Sequence, residues 1–327
     1  MAFPTHRPRR LRQDGRVRLM MRETWLAPQH LILPLFVSEE VTAPNPIRSM
    51  PGHCQWPVSQ IDRPVKEAME AGVVAFLLFG LPARKDPRGE AAHATDGVVQ
   101  KALRRLRQEC PGAYLITDVC LCAYTDHGHC GLLDETGRVL NDESLPVLAE
   151  MALSHVRAGA DMVAPSDMMD GRIGSLRRRL DESGFSQTPI MAYSAKYASS
   201  LYGPFREAAH SAPQAGDRKG YQMDPANARE ALHELRLDAE EGADVLMVKP
   251  GLAYLDIVAE ARAAFSCPIA VYQVSGEYAM IKAAAEKGWL DERAVALETL
   301  LAMRRAGADW ILTYFATAAA RWLRETA

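Results

Sequence analysis

Eight times between residues 31 and 325, a short β-rich apolar run is followed by a stretch with apolar residues at three- and four-residue spacing. The runs are Leu31–Val37, Val73–Gly80, Ala113–Leu121, Asp161–Ser166, Pro189–Ser194, Asp244–Lys249, Pro268–Val274 and Asp309–Phe315. The helical stretches lie around 61–71, 97–109, 144–158, 172–183, 226–241, 253–265, 277–306 and 316–325. Near-continuous apolar strands suit a parallel sheet covered on both faces. Eight strand-then-helix units predict an α/β fold, a (β/α)8 TIM barrel; the 327 residues exceed the roughly 250 of a typical barrel by an arm and some loops. Three junctions share one punctuation, Ala158-Gly159-Ala160-Asp161, Glu241-Gly242-Ala243-Asp244 and Ala306-Gly307-Ala308-Asp309. Each sets a glycine where a helix ends in a left-handed residue and a strand follows two residues later. A doubly wound open sheet is the alternative, but no Gly-x-Gly-x-x-Gly follows the first run.

Residues 1–23 read as an N-terminal arm. They carry Arg7, Arg9, Arg10, Arg12, Arg16, Arg18 and Arg22 with few apolar anchors, and they lack the serine enrichment of a transit peptide. The expectation is an arm that docks on another subunit, with residues 24–327 forming the catalytic barrel. A formal charge of −3 gives no global attraction to nucleic acid or to an acidic membrane. The longest apolar runs are far too short to span a bilayer. Six cysteines, half of them clustered and without a secretory leader, point to a reducing compartment and a soluble, cytoplasmic protein.

The cluster is Cys120, Cys122 and Cys130. If the apolar run extends to Leu121, Cys120 and Cys122 leave the same face of a strand, and Cys130 folds back across the following turn. Three thiolates with no fourth protein ligand in the segment suit a catalytic zinc with one open position. His127 and His129 are candidate extra ligands, although a turn histidine is more often a hydrogen-bond partner behind the ligands. Lys196 and Lys249 stand at the ends of consecutive strands, where a barrel carries its active site. A neutral amine there attacks a ketone, and two facing ammonium groups lower each other's pKa. The stretch 197–222, with Arg206 and Arg218, reads as a lid able to bind a carboxylate. At the fourth strand end Ser166 and Asp167 are placed to orient a lysine or relay protons, while Asp170 is expected to cap the next helix. Ser275 and Tyr314 bring hydroxyls to the ends of strands seven and eight.

Taken together, Asp118-Val119-Cys120-Leu121-Cys122 with His127-Gly128-His129-Cys130, Ala164 to Gly171, Tyr202-Gly203-Pro204-Phe205-Arg206, Gly216-Asp217-Arg218-Lys219 and Met247-Val248-Lys249-Pro250 resemble the porphobilinogen synthase (5-aminolevulinate dehydratase) family. The resemblance runs from Arg7 to Phe315. It implies a lyase that condenses two 5-aminolevulinate molecules to porphobilinogen with loss of two waters, in haem biosynthesis. It further implies that Lys249 and Lys196 form Schiff bases with the two ketones. Arg206, Arg218 and Gln222 would bind one substrate carboxylate, and Ser275 and Tyr314 the other. Cys120, Cys122 and Cys130 would hold zinc, with Asp118 and Ser166 in proton transfer. A further zinc site found in some members uses a cysteine where this chain has Gly220. The resemblance also implies a homooctamer embraced by N-terminal arms, and an allosteric magnesium at a subunit interface with Glu234 as its candidate ligand. Two rivals are a class I Schiff-base aldolase, for which one lysine suffices, and a barrel that binds metal without catalysis.

Overall fold

A computed structural model describes residues 4–325. Its eight barrel strands are β1 (Leu31–Ser38), β2 (Ala75–Leu81), β3 (Tyr114–Val119), β4 (Met162–Pro165), β5 (Met191–Lys196), β6 (Val245–Lys249), β7 (Ile269–Gln273) and β8 (Trp310–Thr313). They pair in parallel in the order β4-β3-β2-β1-β8-β7-β6-β5. A single parallel bridge, Val163 to Ile190, closes the ring between β4 and β5, with the Val163 amide donating to Pro189 O at 3.2 Å. Helices follow each strand and cover the sheet from outside, so β1 is buried at all eight positions and β5 at all six. This is the predicted TIM barrel. No described helix is long and apolar enough to cross a membrane.

The three repeated junctions work as read, and they do more. Gly159, Gly242 and Gly307 adopt φ of 112°, 105° and 124°, open to glycine at little cost. The aspartate that follows each one pins the preceding strand at its base. Asp161 accepts from the Leu115 amide at 2.7 Å, Asp244 from Ile190 at 2.8 Å and Asp309 from Ile269 at 2.9 Å. Strands β3, β5 and β7 are thereby clasped by β4, β6 and β8 through side chain to backbone bonds.

Three expectations need correction. The predicted helix 277–306 is two helices, Ser275–Glu286 and Glu292–Ala306, because Gly288 turns at φ 69° and Asp291 caps the second helix through the Ala294 amide at 2.7 Å. Asp170 does not cap helix Arg172–Glu182; Gly171 takes that position at φ 76°, and the Asp170 backbone is held by Asn141 on both sides. The stretch 197–222 is not loop throughout, since Gly203–Ala208 is helical. In the arm, Gly15–Met20 forms a short helix without a buried residue, and Leu19, Met20, Met21 and the following Trp25 stand exposed.

Outside the barrel wall a fully buried ion pair joins two helices. Arg172 donates to both oxygens of Asp238 at 3.1 and 3.0 Å and to Tyr193 O at 3.3 Å. Breaking such a pair strands a buried charge, at a cost of about 3–5 kcal/mol. Asp238→Ala is expected to lower the urea midpoint accordingly; an unchanged midpoint would show that Asp167, 3.9 Å from Arg172, carries the charge alone.

Candidate active site

The carboxyl ends of β5 and β6 bring two lysines together, and an irregularity makes this possible. Ala192 pairs with Leu246, but Ala195 pairs with Val248 and Lys196 with Lys249, so β5 spends one extra residue around Tyr193-Ser194. Without that bulge Lys249 would oppose Ala195, and the two lysines would face opposite sides of the wall. With it, both point inward: the Nζ atoms lie 5.7 Å (Lys196) and 4.9 Å (Lys249) from the Tyr193 ring. Lys249 Nζ is also 4.2 Å from the Tyr272 ring and 5.3 Å from each of Tyr202 and Phe205. Lys196 Nζ donates to Ser166 O.

An amine shielded from water is costly to charge. Burial, and then the neighbouring Lys196 charge, bring Lys249 down to about 7 from an ordinary 10.5. Asp118 at the end of β3 is pushed up to about 6 by burial, while the Ser166 hydroxyl and the Lys196 and Lys249 charges pull the other way. The site thus sets a neutralisable amine beside a carboxyl that holds a proton in the same pH range, the pairing expected where acid and base roles are divided.

Cys120 and Cys122 do not share a strand face. The strand ends at Val119, Cys120 stands at the start of a tight 3-10 turn over Leu121–Ala123, and Cys122 lies within that turn. The turn replaces the strand because Tyr124 and Thr125 amides bond back to Leu121 O. The three sulfurs still converge: Cys120, Cys122 and Cys130 Sγ lie within 4.8 Å of one another and are buried. Hydrogen bonds from Cys120 and Cys122 hold the Cys130 thiol well below its ordinary value. Cys122 is favoured by Cys120 but driven up to about 11 by Cys130 and burial. Three soft donors in one buried cluster, one already biased toward thiolate, fit a thiophilic metal such as zinc. Among the described residues it is the one such cluster. His129 stands apart from it, its ring held by Tyr221 OH at 3.2 Å and Ala215 O at 3.0 Å, and His127 Nδ1 accepts from the His129 amide.

The lid is fastened to this cluster. Arg218, 6% exposed, donates to Gly128 O at 2.9 Å and to Ser211 O. Although burial opposes its charge, the Cys130 and Cys122 sulfurs raise its pKa. Its Nε, the Arg206 Nε and both amide atoms of buried Gln222 have no hydrogen-bond partner. Buried polar atoms in this state call for a partner, and four of them here are donors or acceptors suited to a carboxylate and its surroundings. Across the mouth, Ser275 Oγ accepts from the Phe205 amide at 3.0 Å, and Tyr314 OH lies 3.1 Å from Tyr272 OH. Glu234 is not part of this assembly; it sits half-buried on the outer helix Arg229–Glu240, where burial and then Asp238 raise its carboxyl.

Sequence reading missed the aromatic cage of Tyr193, Tyr202, Phe205 and Tyr272. The available signal was Tyr193, three residues before Lys196 and therefore on the opposite face from it in a strand without the bulge.

The model of the family described as delta-aminolevulinic acid dehydratase matches residues 5–322. A delta-aminolevulinic acid dehydratase of Halalkalibacterium halodurans is 53% identical over 99% of this chain and 98% of its own length. That of Archaeoglobus fulgidus is 52% identical over 95% and 96%. The Toxoplasma gondii enzyme, whose crystal structure is a complex with the reaction product porphobilinogen, superposes with a TM-score of 0.96 at 47% identity, covering 98% of this chain and 92% of that one. With a match of this extent on top of the barrel, the paired lysines and the thiol cluster, the chain belongs to the delta-aminolevulinic acid dehydratase family.

Proposed function

We propose that the chain is a lyase condensing two 5-aminolevulinate molecules into porphobilinogen, and that Lys249 and Lys196 are its catalytic amines. The observation that carries this reading is the facing pair itself, two lysines in register at the barrel mouth with Lys249 poised near neutrality. Neutral Lys249 Nζ attacks the ketone of one substrate, forming a carbon–nitrogen bond while the carbonyl oxygen leaves as water after protonation. Lys196 does the same for the second substrate. Asp118, close enough to feel the charge of both amines, and Ser166, beside Lys196, accept and return the protons. Arg206, Arg218 and Gln222 bind one substrate carboxylate, the arginines by paired N–H donors. The Ser275 and Tyr314 hydroxyls bind the other. Cys120, Cys122 and Cys130 would hold zinc, which when bound supplies Lewis-acid activation of an amine or water. An aldolase needs one such lysine and no thiol cluster.

The exposed apolar side of the arm supports a role in subunit contacts within an octamer. Glu234, with Asp170 and Asp238 close enough to raise its carboxyl, is the candidate magnesium ligand at an interface, and ion binding there would act by stabilising the assembly. The cytoplasm is the proposed compartment.

Purified protein is expected to make porphobilinogen from 5-aminolevulinate, to lose activity on chelation and to regain it with zinc. The rate should also climb with pH, because the nucleophile is the deprotonated amine. With Lys249 near 7, about one molecule in a hundred is reactive at pH 5, so the rate falls roughly 100-fold from its plateau. No product with any metal would sink the proposal; full activity after complete metal removal would retain the lysine chemistry and discard zinc.

A further inference from the structure

Glu277 lies two residues after Ser275 and is 2% exposed, with no lysine or arginine in hydrogen-bond contact among the described residues. As the third residue of helix Ser275–Glu286 it turns back to the amide before the helix, accepting from Val274 at 2.6 Å. A capping glutamate does this in water, and burial adds nothing to that task. The rest of the carboxylate is spent elsewhere. Oε1 accepts from the Leu252 amide at 2.5 Å, and Oε2 lies 3.4 Å from the Gly251 amide. One carboxylate therefore gathers amides from the loop after β6, just past Lys249, and from the turn after β7 that carries Ser275. Burial pushes this carboxyl up to about 7 even though three amides favour its charge.

Close packing leaves these loops little freedom. A Cβ on Gly251 would lie 2.8 Å from Met303 Cε and 3.1 Å from Tyr272 O, so the backbone is pressed onto β7. A Cβ on Gly276 would lie 2.5 Å from Leu201 O, so the stem of the lid rests on the Ser275 turn. From Ser275 the connection continues through the Phe205 amide at 3.0 Å to the Phe205 ring, 5.3 Å from Lys249 Nζ.

We infer that Glu277 is a positioning residue for Lys249, bolting the loop that follows the lysine to the Ser275 turn and, through Ser275 and Phe205, to the aromatic cover of the amine. The role rests on the lysine chemistry proposed above. Glu277→Asp separates it from simple helix capping: the shorter side chain keeps a carboxylate at the helix start and gives up the reach to Leu252.

The full-length protein is treated with 5-aminolevulinate and borohydride, which reduces the lysine imine to a stable amine, and the adduct at Lys249 is timed by mass spectrometry. No adduct in the unaltered protein would remove the underlying reading, and the role with it. Given that adduct, Glu277→Asp is expected to slow its formation and kcat together by roughly 100-fold, the scale of an ångström-sized misplacement of a reacting group, with KM little changed. Hydrogen exchange should show the Leu252 amide protected in the unaltered protein and opened in the variant, while β5 amides stay protected. Adduct formation at the original rate by folded Glu277→Asp would overturn the assignment. So would prompt exchange of the Leu252 amide in the unaltered protein, a result that depends on no variant folding.

Discussion

Lys249→Ala is expected to abolish porphobilinogen formation, lowering kcat by roughly four to six orders of magnitude, the range seen when a covalent nucleophile is removed. The expectation follows from the cage around the amine. Its Nζ lies within 5.3 Å of four aromatic rings, whose faces attract an ammonium, but it has no carboxylate partner at hydrogen-bond distance, and burial and the Lys196 charge outweigh that attraction. Such a site is poor for storing a cation and well suited to a neutral amine. Lys196→Ala should leave Lys249 chemically competent but without its nearest like charge. The Lys249 pKa then rises and activity survives, crippled, only toward higher pH. A Lys249→Ala enzyme with ordinary turnover would end the Schiff-base mechanism. Equal and complete loss in both variants at every pH would show that the second amine is as indispensable as the first.

Cys130→Ser carries the second large effect. Altering a residue that merely supports a metal ligand costs roughly 10–100-fold in metal affinity, so losing one of three ligands should cost more. The purified variant is expected to carry zinc far below one ion per chain, and any cobalt it retains should show weaker thiolate-to-metal absorption than in the unaltered protein, because two of the three sulfurs remain. Turnover should fall in parallel. Cys267→Ser is the control: Cys267 is half-buried and outside the cluster, and its loss should move neither readout. Stoichiometric zinc in Cys130→Ser would remove that sulfur from the site whatever happened to the rate.

Periodicity carried the barrel because its signal is local. Apolar runs, helical spacing and glycine stops are each set by residues within one turn or strand of each other, and all eight units were legible from them. Lys196, Lys249 and the three cysteines were legible as residues, because amines at strand ends and clustered thiols are rare without a chemical use. Their geometry was not. Whether Lys196 faces Lys249 depends on one extra residue near Tyr193, a register that only the neighbouring strand decides. Cys122 sits in a 3-10 turn instead of a strand because backbone bonds to Leu121 O win over the β preference of the run. Asp170 lost its capping position to a neighbouring glycine, and Glu277 was not singled out, because its partner at Leu252 comes from 25 residues upstream.

The aspartate clasps at Asp161, Asp244 and Asp309 give the ring a grain. A strand and its successor are tied by a side chain that the successor itself brings, so the smallest piece of wall carrying its own fastening is a pair, β3 with β4, β5 with β6, β7 with β8. Between pairs the wall depends on backbone ladders, and at the β4–β5 seam that ladder thins to one bridge, supplemented by the Lys196 amine on Ser166 O. In the language of carpentry the barrel is joined from doubled staves, and its loosest joint runs directly beneath Ser166 and Lys196.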